Sequence, residues 1–261
     1  MLFRSSLAIF TEDRRLIGYA SYDPSDTDGA VYKLTVQPGS LEIPRNVVTK
    51  IYVRPQLLTR DQGGLGGESL QIMSIVVRGN GVWSSAAYVK QSYGTYLPFL
   101  IARGRIADVR TLSDERGTLL LGEAQELARF RFLAERGDPG ASITIRSLTF
   151  SVGRSGDVMI DHPVLRVLGS SQVFSCAFIS SALLRCDGLN IALSSMDEGQ
   201  TVVELDADLR GSSGQRQSVQ LSLNDRGTPD RDGGIIWSDG TSTFGWVPLN
   251  DPASTNVILS R

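Results

Sequence analysis

Apolar and polar residues alternate along much of this chain. In "VVELDADLR" (202–210), Val203, Leu205, Ala207 and Leu209 fall on one side, and Val202, Glu204, Asp206 and Asp208 on the other. "SVQLSL" (218–223) sets Val219, Leu221 and Leu223 against polar neighbours. "SITIRSLTFSV" (142–152) alternates at Ile143 and Ile145, slips by one residue near Arg146–Ser147, and resumes at Leu148, Phe150 and Val152. A period of two belongs to strands with one buried face, and a one-residue slip predicts a bulge or bend. Clusters such as "DPSDTDG" (23–29), "QPGS" (37–40), "ERGDPG" (135–140) and "NDRGTPDRDGG" (224–234) separate the runs. Gly accepts positive φ, and Asp, Asn and Ser bond back to the backbone, so these clusters read as turns. Short strands with turns at this density predict an all-β sandwich or barrel. "LLLGEAQELARFRFLAE" (119–135) contains good helix formers. Its second half, however, alternates Phe130 and Phe132 against Arg129 and Arg131, which predicts strand from Leu127 onward.

The chain also repeats itself. "SLAIFTEDRRLIGYASY" and "VYKLTV" parallel "VLRVLGSSQVFSCAFIS" and "LNIALS". "QPGSLEIPRNVVTKIYVRPQLL" parallels "SSMDEGQTVVELDADLRG", "ESLQIMSIVVRGNGVWSSAAY" parallels "QSVQLSLNDRGTPDRDGGIIWSDGTS", and "PFLIARGR" parallels "STNVILSR". Leu7 then matches Leu165, Val48 matches Val203, Trp83 matches Trp237 and Ile101 matches Ile258, a period of roughly 155 residues. The later copy is preceded by two strands around a Gly-Asp-Pro-Gly turn, and the earlier copy has no counterpart to them. The expected organisation is an incomplete module (1–104), a connector (105–122) and a complete module (123–261). A sandwich without two strands leaves unpaired edges. It calls for a smaller sheet arrangement, a longer parent chain, or strands from another copy by strand addition.

Composition narrows the function. Of 261 residues, 41% are hydrophobic and 21% charged, with a net charge of −2. These values suit a folded domain and offer no basic patch for nucleic acid. No apolar run approaches the ~20 residues of a membrane span. One histidine, His162 in "IDHPV", and two cysteines cannot build the usual structural zinc site. His162 precedes a proline and reads as a loop residue. Glu204, Asp206 and Asp208 on one strand face match a solvated sheet face rather than a glycosidase pair. No catalytic residue, cofactor site or enzyme activity is expected. The acidic loops offer Asp23, Asp26 and Asp28, or Asp225, Asp230 and Asp232, as calcium ligands, although the EF-hand spacing is absent and Asp is equally a turn former. Tyr93, Tyr96 and Phe99 in "SYGTYLPF", together with Trp246, are candidate interface or ligand contacts.

Glu126, Leu127, Phe130 and Ala134 on one strand, Ile145, Ser147, Leu148, Thr149 and Phe150 on the next, and the closing Trp237, Ser238 and Asp239 carry a resemblance. Their order resembles the repeated Ig-like β-sandwich modules of large bacterial surface proteins of surface-layer, filament or adhesin type, from uncultured small-genome bacteria. The resemblance implies an extracellular, cell-surface location and brings no active-site residues. In that setting Cys176 and Cys186, which flank a predicted hairpin, can bridge across adjacent strands; otherwise they are two buried thiols. The expected fold is therefore all-β: two tandem Ig-like antiparallel sandwich modules, the first lacking its opening hairpin. The expected function is a self-assembling block of a surface layer or filament, held by strand-edge, donor-strand or intermodule contacts with copies of itself. The alternative is an adhesin or carbohydrate-binding module that takes a surface glycan on its aromatic loops.

Overall fold

The computed structural model describes residues 6–24, 30–45, 47–57, 67, 69–81, 85–93, 99–138, 140–195, 198–212, 216–223, 225–228, 230–247 and 256–261. All described regular elements are strands. The chain divides into two compact units, Met1–Leu65 and Gly66–Arg261.

The first unit contains β1 (Ser6–Thr11), β2 (Leu16–Asp23), β3 (Val31–Lys33) and β4 (Ile51–Gln56), in sheet order β3-β2-β1-β4. β1 and β2 form a hairpin whose turn is closed by Arg14 at φ 63, with its N–H on the Thr11 carbonyl at 3.0 Å. Arg54 on β4 lies over the Phe10 ring at 5.2 Å, and Tyr22 meets Tyr32 edge-on at 5.9 Å. Only Ala8, Thr11 and Ala20 are buried among the described residues of this unit. β4 is an edge strand and contains Pro55, a residue that a central strand tolerates poorly.

The second unit begins with two small pairs, β5 (Ser69–Leu70) with β8 (Phe99–Leu100), and β6 (Ser74–Asn80) with β7 (Ala87–Tyr93). The sandwich follows: β9 (Gly104–Thr111), β10 (Arg116–Thr118), β11 (Gly122–Arg136), β12 (Thr144–Ser155), β13 (Met159–Val167), β14 (Val173–Ser180) and β15 (Leu183–Cys186). It continues through β16 (Ile191–Ala192), β17 (Thr201–Arg210), β18 (Ser218–Ser222), β19 (Ile235–Ser238), β20 (Thr243–Phe244) and β21 (Asn256–Ser260). The pairing order is β10-β21-β18-β12-β15-β14-β13-β17-β11-β9. One layer is β9-β11-β17-β13 and the other is β15-β12-β18-β21-β10, with β14 hydrogen-bonded into both.

The alternation read from the chain places the core. Val203, Leu205, Ala207 and Leu209 face inward from β17, and Phe130, Phe132 and Ala134 from β11. Ile143, Ile145, Leu148, Phe150 and Val152 join them from β12 and the residue before it, with Phe130 and Phe150 at 5.5 Å. The slip in β12 is a bulge: its register with β19 shifts between Ile145 and Ser147. That bulge lets β12 serve several partners, β16 and β15 along one edge and β19 and β18 along the other.

Three expectations change. The stretch 105–122 is not a free connector: it supplies β9, antiparallel to β11, and β10, parallel to β21. The chain moves from one layer to the other over 112–115, with Leu112 N–H on the Arg129 carbonyl and Ile258 N–H on the Glu115 carbonyl. β11 begins at Gly122 rather than Leu127, because register shifts at Gly122/Gln125 and Glu126/Ala128 disrupt the local alternation, and pairing with β17 overrides helix propensity. His162 is not in a loop but at a bulge inside β13, between Asp161 and Val164, at φ 47.

The repeat is present as topology. The order β3-β2-β1-β4 matches β15-β14-β13-β17, each with an antiparallel hairpin and a third strand antiparallel to its first, so β3 in "VYKLTV" answers to β15 and not to "LNIALS", whose β16 pairs with β12. Ala8 faces Arg54 as Arg166 faces Glu204, so the counterpart of Val203 is Val53 and not Val48, which lies outside the strand. β4 has no further partner among the described residues, whereas β17 takes β11 at the same edge. Trp83 lies outside the described residues.

Cys176 and Cys186 face each other across β14 and β15 and form a disulfide. The bond lies where β14 leaves β13 and joins β15. Replacing both cysteines with alanine should lower stability by about 2–4 kcal/mol, read as a lower urea midpoint with the sandwich strands retained by circular dichroism.

Candidate functional site

β19 and β20 carry Trp237 opposite Phe244, their rings stacked at 4.5 Å. Trp237 is buried, and its indole N–H donates to the Trp246 carbonyl at 2.7 Å. The turn between the strands centres on Asp239, whose exposure is 0%. Asp239 Oδ1 accepts from the Thr241 N–H at 2.9 Å, the Thr241 hydroxyl at 2.8 Å and the Ser242 N–H at 2.8 Å. Its Oδ2 accepts from the Arg103 N–H at 2.9 Å. Burial by itself would push this carboxyl up, but the hydrogen bonds outweigh it and hold the group below the usual carboxylate range. Asp239 thereby ties the "WSDGTS" turn to the segment entering β9, and Arg103 extends the link through its guanidinium to Asp138 at 2.9 Å.

Beside this turn opens a cleft of about 330 Å³, lined by Ala102, Gly104, Arg105, Glu135, Gly137, Trp237, Phe244 and Trp246. Arg105 and Glu135 face each other across β9 and β11 as a half-exposed ion pair at 2.6 Å. Trp246 is partly exposed, and its indole N–H has no acceptor among the described residues. A second depression, open and shallow, lies over Ser151, Gly153, Gln220 and Ser222, beside Asp225 and Arg231.

The carboxylates of β17 are brought together but not as free acids. Glu204 pairs with Arg129 at 2.5 Å, Asp206 with Arg166 at 2.6 Å, and Asp208 with His162 Nδ1 at 2.8 Å. Asp208 Oδ1 also accepts the Ala124 N–H at 2.9 Å. Ala124 and His162 both have φ 47, so one carboxylate staples bulges in the two strands that flank β17. The Ala124 amide, then His162, hold Asp208 below the usual range. Burial raises Asp206 above it, against the Arg166 hydrogen bond. The face is a ladder of ion pairs, and it continues through Arg131 and Asp108 on the neighbouring strands.

The other predicted positions scatter. Asp23 pairs with Lys33, while Asp26 and Asp28 lie outside the described residues. Arg231 holds Asp225 through both oxygens, at 2.6 and 2.8 Å, so Asp225 does not join Asp230 and Asp232 in a cluster. Among the described residues no three His, Cys, Asp or Glu side chains could hold a metal ion. Tyr93 is exposed at the end of β7; Tyr96 and the Phe99 side chain lie outside the described residues. The sequence reading missed Arg103, Arg105, Glu135 and Ala124. Arg105 and Glu135 alternate outward on their strands, but only the β9–β11 register places them opposite one another.

No protein-family model and no curated protein matches the chain. Among solved structures it aligns with the crystal structure of BcpA, the major pilin subunit of Bacillus cereus, at 8% identity and a TM-score of 0.25. The alignment covers 91% of this chain and 63% of that one, less than two thirds of the pilin's length. A likeness of that size leaves the reading of this chain to its own residues.

Asp239 has a depressed pKa, so its contribution to stability is complete above the unfolded value of about 3.9 and is lost as pH falls through the folded value. Asp239→Asn should cost about 2 kcal/mol or more at pH 7. Thermal melts from pH 7 down to pH 2 should show a smaller acid-induced loss in the variant than in the parent.

Proposed function

We propose that this chain is a non-catalytic structural block that assembles with copies of itself, through the β6–β7 hairpin, into a layer or filament at a bacterial cell surface. The observation that carries this reading is the contrast between its strand edges. In the sandwich the end strands are blunted: β10 has three residues, and β9 carries Arg105, Asp108 and Arg110. The β6–β7 hairpin is the opposite. It pairs with no third strand among the described residues and exposes Val76, Val77, Tyr88, Val89 and Tyr93. A two-stranded sheet is marginal in water unless something packs on it or extends it. Strands from a second copy would satisfy both needs by edge-to-edge addition. The register would have to keep Arg78 and Lys90 of neighbouring copies apart, since like charges directly opposite are destabilising.

Supporting features come from elsewhere in the chain. The Cys176–Cys186 bond fits an oxidising, extracellular setting. The lone histidine and each carboxylate of β17 are engaged in structural pairs, which favours scaffold over chemistry.

Sedimentation velocity across a concentration series should show assemblies that grow with concentration. The double substitution Val76→Lys, Tyr88→Lys, which sets the new charges opposite Gln91 and Gly79 rather than opposite Lys90 or Arg78, should return the chain to monomer. Because both sites are exposed, its unfolding free energy from urea titration should change by no more than about 0.5 kcal/mol per site. A parent chain that stays monomeric at every concentration rejects the proposal.

A further inference from the structure

We infer that the Trp246 cleft is a binding site for one neutral pyranose unit of a glycan, independently of how the chain assembles. Four observations in the second unit converge on it.

First, the cleft has aromatic walls on a rigid support. Phe244 and Trp237 are stacked and buried, and the Trp237 indole N–H holds the Trp246 backbone in place. Trp246 is the wall left partly open to solvent. A flat amphipathic ring of this kind suits a ligand with one apolar face.

Second, the Trp246 indole N–H finds no acceptor among the described residues, although its neighbour Trp237 is satisfied. Indole is a donor only, so this partly exposed group can donate to an acceptor such as a ligand hydroxyl oxygen.

Third, Arg105 and Glu135 line the same cleft, together offering N–H donors and carboxylate acceptors. Hydroxyls both donate and accept, and can bridge such a pair. Because the two charges already neutralise one another at 2.6 Å, the rim selects for a neutral ligand over an anion or cation. An apolar face bounded by hydroxyls, with no charge, describes a pyranose ring.

Fourth, the dimensions agree. At about 330 Å³ the cleft lies at the small end of ligand sites, and Ala102, Gly104 and Gly137 add no bulky side chains to its lining. The support is also fixed. The Asp239 carboxylate clamps the turn to Arg103, two residues before Arg105, and the Gly137 N–H bonds the Arg103 carbonyl at 2.9 Å.

The test uses the full chain with methyl glucoside, methyl galactoside, methyl mannoside and methyl N-acetylglucosaminide as probes, followed by intrinsic tryptophan fluorescence and saturation-transfer NMR. At least one probe should bind saturably, with an affinity on the order of millimolar, as expected for a ligand of this size in an open cleft. Trp246→Ala should weaken that binding at least tenfold. Glu135→Gln, which leaves the aromatic wall in place, should weaken it several-fold while the urea midpoint stays near the parent's. Absence of saturable binding by all four sugars overturns the assignment, as does binding that Trp246→Ala leaves unchanged. In a Trp83→Phe background, an emission shift that follows protein concentration with no sugar present and that Trp246→Phe abolishes also overturns it, because the cleft would then be a contact between copies.

Discussion

Keeping Phe130, Phe132, Phe150 and Trp237 dry is the constraint on which the rest of the second unit depends. Two facing sheets can do this only if their sides are closed. One side is closed by the 104–118 segment, which pairs with β11 in one layer and with β21 in the other. The other is closed by β14, which pairs first with β13 and then with β15, and the disulfide is set at that change of partner. Parallel pairing of β10 with β21 follows, because a strand that crosses between layers arrives without a hairpin to impose the antiparallel direction.

Closure has consequences for charge. Asp239 is buried at the end of the sandwich and stays ionised because four donors, three from its own turn and one from Arg103, replace water. Asp206 is nearly as buried but has the Arg166 hydrogen bond with Glu204 close by, and its carboxyl is raised. The two groups therefore respond to acid with opposite sign: one loses stabilisation as it protonates, and the other is relieved of a desolvation penalty. Asp239 is the more consequential, since it connects the entering chain, the tryptophan turn and the cleft rim.

Much of this was legible in the residues. The inward residues of β11, β12 and β17, the β12 bulge and the strand nature of "ARFRFLAE" follow from period-two burial and turn chemistry, whereas the residues alone left Cys176 and Cys186 open between a bridge and two buried thiols. The repeat was legible as order but not as register: matching valines by spacing chose Val48, while hydrogen bonding chose Val53. Where strands bulge, as at Ala124 and His162, the local period breaks and sequence reasoning assigned loop or helix.

The sequence by itself therefore determined which faces are apolar, where turns fall, that strands dominate, and that histidine and cysteine are scarce, because these properties are local to a few neighbouring residues or to composition. Only the tertiary structure decided that 105–122 closes the sandwich, that Asp208 staples two bulges, and that Arg105 and Glu135 face each other beside Trp246. Those outcomes depend on which strands share an edge and in what register. Pairing energies per residue are similar for many alternatives, and burial of the whole core selects among them.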